Sequence, residues 1–375
     1  MIVLLVLIST LYAFLLVSLF LGWRKIPLTR LQHLAPTANF SIVIPFRNEA
    51  ENLPQLLESI SILEYSSKKF EILLIDDASE DDSYNICSTF IKTHHDFNIQ
   101  VLKNIRSSNS PKKDAITIAI ESAKFEYIIT TDADCQVPKK WLQAFNEGLQ
   151  SKSADMLAGP VAYISDNSSW LTIFQDLDLV SLQIAGAGSF GLKKAFLCNG
   201  ANLCYRKTAF EEVDGFSGNE QISSGDDVFL LQKFVAENKK VSFLKNEKAI
   251  VLTSPQPTLK ELLSQRIRWA AKTHAYKSVF SKLIGISVLL MNLSIVVAFL
   301  LTLTGTFPIT WLAFLFLLKF NIDFILLQQA AYFFGKKGIL SSYFWSSILY
   351  PFFSTYVAIA SLFKGFEWKG RNFNR

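Results

Sequence analysis

The segment Ile128-Ile-Thr-Thr-Asp-Ala-Asp-Cys135 decides how the rest of the chain is interpreted. A run of residues that favour β-strands ends there in two carboxylates one residue apart, Asp132 and Asp134. Side chains at i and i+2 of a strand point to one side, so we expect both carboxylates in one space. There they repel each other unless a cation lies near. Oxygen ligands without a neighbouring His or Cys suit Mg²⁺ or Mn²⁺, although a surface turn is the simpler interpretation of an isolated Asp-X-Asp.

The composition indicates a membrane protein with one globular domain. The 375 residues are 50% hydrophobic, and the mean hydropathy of +0.27 is high for an ordinary soluble enzyme. The apolar excess lies in three uncharged stretches, residues 1–23, 283–318 and 338–363. A helix over residues 1–23 would span roughly 30 Å of hydrocarbon. Residues 24–282 mix charged, turn and short apolar segments, which predicts a membrane-anchored domain rather than a transporter bundle.

Basic residues at the ends of these stretches predict the orientation. A signal peptide is one interpretation of residues 1–23, but no Lys or Arg precedes the apolar core, whereas Arg24 and Lys25 follow it. We therefore favour an uncleaved anchor. Because cytoplasmic flanks carry an excess of Lys and Arg, the N-terminus is expected outside and residue 24 onward inside. The basic run from Arg266 to Lys282 agrees. The prediction is a multi-pass protein of the cell (plasma) membrane with its globular domain in the cytoplasm.

The C-terminal part predicts two spans, residues 283–303 and about 309–334, and a third apolar segment. The second span carries Lys319 and Asp323 at i, i+4, where a helix brings opposite charges together. Such a pair is either self-neutralising or functional. The third segment contains Pro351, so it either crosses fully or re-enters and returns the tail to the cytoplasm, and we favour the return slightly.

Between the apolar ends, strand-like and helix-like patterns alternate. Such alternation predicts βαβ units, an α/β fold and a mostly parallel sheet. The first helix is expected to begin at Asn48. Ligands of such sheets bind beyond the carboxyl ends of the strands. Asp76 and Asp77 follow the second apolar run as Asp132 and Asp134 follow the fourth, so four carboxylates are expected on one edge. The first three runs begin at Phe40, Phe70 and Ile99, and the fourth leads into the Asp-X-Asp segment quoted above.

Seven short motifs follow one another between Phe40 and Ala271. They are Ser41-Ile-Val-Ile-Pro-Phe-Arg-Asn-Glu49, Leu74-Ile-Asp-Asp-Ala-Ser79, Pro111-Lys112, Thr131-Asp-Ala-Asp134, Cys198-Asn-Gly-Ala-Asn-Leu-Cys-Tyr-Arg206, Gly225-Asp226-Asp227 and Gln265-Arg-Ile-Arg-Trp269. In this order they resemble the motifs of family-2 glycosyltransferases, which are inverting, nucleotide-sugar-dependent enzymes of GT-A fold.

The resemblance implies a role for each motif. It implies that Asp134, with Asp132, holds Mg²⁺ or Mn²⁺, and that Asp227, with Asp226, does the catalytic work. The nucleotide-sugar donor, UDP-linked by this resemblance, would be bound by Pro45, Glu49, Asp76, Asp77, Lys112, Asp132 and Arg268. A lipid or glycan acceptor would be bound by Asn199, Gly200, Asn202, Gln265 and Trp269.

The reaction needs a base for the acceptor hydroxyl, which is a poor nucleophile. Asp227 is the expected base, because it follows a Gly-led turn into a predicted helix. Two positions depart from the family pattern: Asp226 stands where Glu is usual, and Pro111 stands where many members have Gly. The shorter side chain of Asp226 makes its contact with the acceptor less certain than the role of Asp227. Pro111 in place of Gly puts in doubt how far Lys112 reaches.

Each motif also has a structural interpretation. The aspartates of the second motif are suited to cap a helix, and those of the sixth to stabilise the first turn of one. Lys112 is equally suited to lie in solvent. Arg268 and Trp269 are typical of a membrane boundary, where residues from Thr258 to Phe280 form an expected amphipathic helix.

Three functions compete: transfer of a hexosyl or N-acetylhexosaminyl group to a lipid-linked acceptor, processive polysaccharide synthesis, and an inactive sugar-binding scaffold. No nucleic-acid-binding signature is present, and the four cysteines lack disulfide or metal spacing, as expected of a reduced domain. The predicted domains are an anchor (1–23), a GT-A domain (24–257), an amphipathic interface helix (258–282), a transmembrane region (283–363) and a basic tail (364–375).

Overall fold

The computed structural model describes residues 2–164, 169–222 and 224–363, together with the backbone of two short strands at 366–368 and 371–373. The side chains of the predicted basic tail, residues 364–375, lie outside this description. The chain divides into two compact units. The α/β unit comprises Ile26–Ile164 and Leu197–Ser254, and the helical unit comprises Met1–Lys25, Ser165–Phe196 and Pro255–Arg375.

The strands and the helices are numbered separately, each in chain order. The strands are β1 (Phe40–Phe46), β2 (Phe70–Asp76), β3 (Asn98–Lys103), β4 (Tyr127–Thr130), β5 (Cys135–Gln136), β6 (Met156–Ala158), β7 (Val161–Tyr163), β8 (Leu203–Arg206), β9 (Val241–Phe243), β10 (Val251–Thr253), β11 (Phe366–Trp368) and β12 (Arg371–Phe373). The helices are α1 (Ile2–Lys25), α2 (Leu53–Ser61), α3 (Ser83–Thr93), α4 (Pro111–Ser122), α5 (Trp141–Lys152), α6 (Trp170–Gly191), α7 (Lys207–Glu212), α8 (Asp226–Ala236), α9 (Leu259–Ala271), α10 (Val279–Leu303), α11 (Ile309–Phe333) and α12 (Tyr343–Phe363).

The α/β unit is built on a seven-stranded sheet with the order β3-β2-β1-β4-β8-β6-β9. The strands β3, β2, β1 and β4 are parallel, β8 is antiparallel to both of its neighbours, and β9 is parallel to β6. A smaller sheet has the order β5-β10-β7. The predicted α/β class with a mostly parallel sheet is therefore confirmed.

Burial explains why β1 and β2 lie inside the parallel part of this sheet. Almost every side chain of the two strands is buried, which gives the continuous apolar runs typical of a parallel sheet covered on both faces. Their register pairs Phe46 with Asp76, and the next strand pairs Asp76 with Lys103. The chain thus leaves β1, β2 and β3 at one level, and the segments that follow them share one edge.

Two local expectations were wrong at this edge. The first helix begins at Leu53 rather than Asn48, because Asn48 has a φ of 50° and Pro54 occupies the first turn. The strand β4 ends at Thr130, so Asp132 and Asp134 lie in a turn rather than in the strand. The N–H group of Cys135 closes that turn by donating to the carbonyl oxygen of Asp132 at 3.1 Å.

The helical unit contains, among the described residues, four helices long and apolar enough to cross a membrane: α1, α10, α11 and the segment Lys337–Phe363 that includes α12. A fifth long helix, α6, packs against α1 at a crossing lined by glycine. A Cβ atom on Gly22 would lie 2.1 Å from the carbonyl oxygen of Gly188, so only glycine permits this approach.

The amphipathic helix predicted from Thr258 to Phe280 is shorter than expected. It begins after Thr258, whose side chain caps it by accepting from the N–H group of Glu261, and it ends at Ala271. A 3₁₀ turn follows at Lys272–Ala275, and Ser278 caps the start of α10. Two caps within this stretch divide it into two helices. In α11, Lys319 and Asp323 form the ion pair that their spacing predicts.

Candidate active site

The carboxyl end of β2 presents Asp77, which is 7% exposed. Its Oδ1 atom accepts from Nε of Arg106 at 2.6 Å and from Nδ2 of Asn104 at 2.8 Å. Arg106 also donates to the backbone carbonyl of Asp77 at 3.1 Å. This cluster combines a carboxylate acceptor with an amide donor and a guanidinium donor. Hydrogen-bond acceptors and donors of this kind are suited to bind the edge of a nucleobase. Asp76 has a local role, because its Oδ1 atom accepts from the N–H group of Ser79 at 2.9 Å.

The turn after β2 is strained and held by an arginine. Ala78 has a φ of 57°, which is uncommon for a residue with a Cβ atom. Arg47 donates to the carbonyl oxygens of Asp77 at 2.8 Å and Ala78 at 2.5 Å, and it pairs with Glu80 at 2.9 Å. The surrounding contacts therefore fix a conformation that the isolated turn would rarely adopt, as is typical of ligand sites.

Lys112 connects two of the acidic motifs. Its Nζ atom lies 2.7 Å from Oδ1 of Asp132 and 3.1 Å from Oδ2 of Asp226. Burial alone would lower the pKa of Lys112, but the nearby carboxylates of Asp132, Asp226 and Asp227 outweigh it and raise the pKa well above its usual range. Lys112 is therefore a permanent cation at the centre of the site, and Pro111 at the start of α4 does not prevent its reach.

Asp134 is a carboxylate whose pKa is raised by its surroundings. Burial, and then repulsion from Asp132 and Glu49, raises its pKa from 3.8 to about 6. A divalent cation would relieve this repulsion, so the donor set fits Mg²⁺ or Mn²⁺. Across the described residues, no group of three or more His, Cys, Asp or Glu side chains is arranged to enclose a metal ion. A pair of carboxylates such as Asp132 and Asp134 suits Mg²⁺, which commonly takes one or two carboxylates and completes its shell with substrate phosphates and water.

Asp227 stands in the first turn of α8, beyond Gly225 in the left-handed conformation. Its Oδ2 atom accepts from the N–H group of Gly200 at 3.2 Å, and its Oδ1 atom accepts from the N–H group of Val228 at 2.7 Å. The carbonyl of Gly200 in turn accepts from the hydroxyl of Thr130 at 2.6 Å. The end of β4, the loop at Gly200 and the start of α8 are thus joined around Asp227.

Gly200 has no room for a side chain. A Cβ atom there would lie 2.8 Å from Oδ2 of Asp226 and 3.6 Å from Nζ of Lys112. Asn199 accepts from the N–H group of Ala201 at 3.0 Å and shapes the same loop. The backbone of this loop thus packs directly against the acidic cluster.

The expected acceptor contact of Asn202 is not supported by its position. Asn202 is 0% exposed. Its amide donates to the carbonyls of Pro160 and Ala249, both at 2.8 Å, and accepts from the indole of Trp141 at 2.9 Å. Because these partners use both donor hydrogens and the oxygen, Asn202 supports the loop from below instead of bordering a ligand.

The remaining residues of the first motif lie at the end of β1. Pro45 is half-buried within that strand. Glu49 is 9% exposed and accepts from the amide of Asn52 at 2.7 Å, while its charge contributes to the repulsion on Asp134. The structure thus brings six predicted residues around one cluster: Glu49, Lys112, Asp132, Asp134, Asp226 and Asp227.

Gln265, Arg268 and Trp269 belong to the helical unit, on α9. Their neighbour Arg266, expected among the interfacial cations, is buried instead at 5% exposure and pairs with Asp178 at 2.6 Å. That expectation was wrong because the basic character of a sequence segment does not show which of its cations has a buried partner.

Sequence reasoning missed three further residues of the α/β unit. Arg47 and Arg106 hold the turn and carboxylate of Asp77, as described above. Lys113 is 2% exposed and donates to the carbonyls of Asn219 at 2.7 Å and Ile222 at 2.8 Å, which holds the segment that leads to α8. Arg106 had a usable signal, because it follows β3 closely and the ends of parallel strands share an edge.

Comparison with known proteins identifies the family of this domain. Residues 41–213 match the family model of Glycosyl transferase family 2, so the chain contains a glycosyltransferase domain of this family. A mannosyltransferase from Pyrobaculum calidifontis, solved in complex with GDP-Man and Mn²⁺, aligns with a TM-score of 0.54 at 16% identity over 95% of this chain and 99% of that one. Likeness at this identity shows the fold, and it agrees with the predicted GT-A architecture.

Curated relatives are similar over part of their length. Glycosyltransferase AglE of Haloferax volcanii is 26% identical over 50% of this chain and 58% of its own. The undecaprenyl-phosphate 4-deoxy-4-formamido-L-arabinose transferase of Salmonella choleraesuis is 35% identical over 28% and 31%, respectively. The poly-β-1,6-N-acetyl-D-glucosamine synthase of Staphylococcus epidermidis is 26% identical over 62% and 54%. The chain thus spans less than two thirds of each relative.

The close packing at Gly200 generates a prediction. Gly200→Ala should push Asp226 and Lys112 away from their positions. The rate of nucleotide release from a sugar donor should then fall roughly tenfold or more, since small displacements of reacting groups slow a reaction strongly. Gly285→Ala is the control, because a Cβ atom there meets nothing within 4 Å. Steady-state kinetics of both variants, with melting temperatures, tests this. Equal activity of the two variants would contradict the assigned crowding.

Proposed function

We propose that this protein moves a hexosyl or N-acetylhexosaminyl group from a nucleotide diphosphate sugar to a lipid or lipid-linked acceptor, with inversion at the anomeric carbon. The observation that carries the proposal is the contact of Lys112 with both Asp132 and Asp226, beside Asp134 and Asp227. This cluster combines the cation that a diphosphate needs with carboxylates suited to metal binding and proton removal. A scaffold function would not require such a costly grouping of charges.

The donor would bind across the edge formed by β1, β2 and β4. Asp77 accepts hydrogen bonds and Arg106 donates them, so together they offer both functions to the edge of a base. A uracil N3–H group would find its acceptor in Asp77, which supports a UDP-linked donor. Pro45 and Glu49 would line the base and ribose side, and Asp132 would reach the ribose or the metal.

The diphosphate would lie next to Lys112. The Lys112 ammonium is bound by carboxylates, and a diphosphate offers oxygens of the same charge. Asp134 and Asp132 would hold Mg²⁺ or Mn²⁺, which when bound supplies positive charge to the departing diphosphate. Arg268 is proposed to add a bidentate cation.

Asp227 is the proposed base. An Oδ atom of Asp227 would take the proton of the acceptor hydroxyl while that oxygen forms its bond to the anomeric carbon. The bond between the anomeric carbon and the diphosphate oxygen breaks in the same displacement. The N–H groups of Gly200 and Val228 orient this carboxylate, and Asp226 would contact the acceptor from the adjacent position.

The acceptor is proposed to be presented by a membrane on its cytoplasmic side. Four helices that could span a membrane, basic residues at their ends and the undecaprenyl-phosphate relative support this placement. Gln265 and Trp269, with Asn199 and Gly200, are the proposed acceptor contacts. The similarity to a poly-β-1,6-N-acetyl-D-glucosamine synthase favours a second candidate, processive synthesis of a polysaccharide.

A donor screen tests the proposal. Sealed inside-out vesicles that contain the protein should release nucleotide from one or more nucleotide sugars, UDP sugars first, only when Mn²⁺ or Mg²⁺ is present. Right-side-out vesicles should be inactive, because these donors do not cross a bilayer.

The Asp134→Ala variant should lose turnover at every metal concentration. Undiminished turnover of that variant in chelator would remove the metal assignment, and the mass of the product separates single transfer from polymerisation.

A second prediction separates the base from donor binding. Asp227→Asn should lower the transfer rate by roughly 10² or more because the amide cannot take a proton. Donor binding should persist, as measured by calorimetry with the intact nucleotide sugar. Asp96→Asn, which makes the same change at an exposed turn, is the control and should leave both values unchanged. Near-normal transfer by Asp227→Asn would move the base elsewhere, first to Asp226.

A further inference from the structure

We propose that Arg266 is a positioning residue that orients Gln265 and Trp269 of the Gln-X-X-Arg-Trp motif, and that Asp178 and Tyr350 fix its own orientation. The inference rests on the proposed function, in which Gln265 and Trp269 contact the acceptor. It concerns Arg266, a position written X in the motif, to which the resemblance as stated above assigns no role.

Arg266 contacts two of the three motif side chains directly. Its Nη1 atom donates to Oε1 of Gln265, the preceding residue. Its guanidinium carbon lies 4.3 Å from the ring centroid of Trp269, within the range of a cation–π contact. One planar group therefore sets the direction of an amide and the plane of an indole at the same time.

Arg266 is itself held by a buried network. Its Nε atom lies 2.6 Å from Oδ2 of Asp178, and these side chains are only 5% and 4% exposed. The other oxygen of Asp178 accepts from the hydroxyl of Tyr350 at 3.0 Å. The network thus joins α9 to α6 and α12 and leaves Arg266 little freedom to rotate.

The attachment of α9 does not depend on this network alone. Ile267 of α9 packs with Val357 and Ala360 of α12 in a separate apolar cluster. Replacing a buried ion pair by apolar residues is often neutral or stabilising, so a buried pair is weak evidence for stability as its purpose. Orientation of the two motif side chains is the function that requires a planar, multidentate cation at this position.

Arg266→Lys is the informative variant, because it keeps the charge opposite Asp178 but cannot also hold Gln265 and stack on Trp269. We expect normal folding and donor binding, with transfer slowed roughly tenfold or more. Lys260→Gln, which removes an exposed cation from the same helix, should transfer at the wild-type rate. Acrylamide quenching of Trp269 should rise in Arg266→Lys. The contribution of Trp269 is the difference in quenching between each protein and the same protein carrying Trp269→Phe.

The coupling between the residues provides the second readout. If Arg266 acts through Gln265 and Trp269, adding Arg266→Lys to the variant Gln265→Ala/Trp269→Phe should slow transfer no further. Wild-type transfer and quenching in Arg266→Lys, or a further loss when Arg266→Lys is added to that variant, would overturn the inference. Quenching measures the surroundings of Trp269 and does not depend on catalysis. If the wild-type protein transfers sugar from no donor, the proposed function is refuted, and the quenching experiment still tests the orientation of Trp269.

Discussion

The contact of Lys112 with Asp132 and Asp226 is the interaction on which the candidate site depends. The edge of the sheet collects carboxylates from the turns after β1 and β4 and from the start of α8. Carboxylates this close repel one another, and burial together with repulsion from Asp132 and Glu49 raises the pKa of Asp134. Lys112 allows the acidic groups to stay close before any ligand arrives, and a diphosphate with its metal would find both signs of charge already in place.

The backbone that creates this edge follows from elementary constraints on the strands. Apolar runs buried on both faces force β1, β2 and β4 into the centre of a parallel sheet, and parallel strands end on the same side. This is why the edge position of Asp76, Asp77, Asp132 and Asp134 could be predicted from spacing alone. The contact of Lys112 with Asp226 could not, because α4 and α8 are far apart in sequence and only the packed structure brings them together.

The motifs predicted which residues lie near one another better than they predicted which side chains are exposed. Asn199, Gly200 and Asn202 come from one motif, yet Asn202 is fully buried and its side chain is bonded within the protein. Arg266 likewise reads as one more interfacial cation in a basic segment, and its acidic partner lies 88 residues away. Helix starts were displaced where a left-handed residue or a cap intervened, at Asn48 and Ser278. Pairing over long distances and local backbone conformation are the two quantities that the sequence pattern does not contain.

The measurement that tests the central claim most directly is calorimetric binding of UDP in the presence of Mn²⁺ to the wild-type protein and to Lys112→Met. Methionine keeps the length of the side chain and removes its charge, so UDP affinity should fall roughly tenfold or more, the scale of a lost charged hydrogen bond. Binding of Mn²⁺ alone should not weaken, because the carboxylates lose a competing cation. Lys124→Met, at an exposed position just beyond the same helix, should bind UDP as the wild-type protein does. Unchanged UDP affinity in Lys112→Met would contradict the account, because Lys112 would then be only a structural counter-ion.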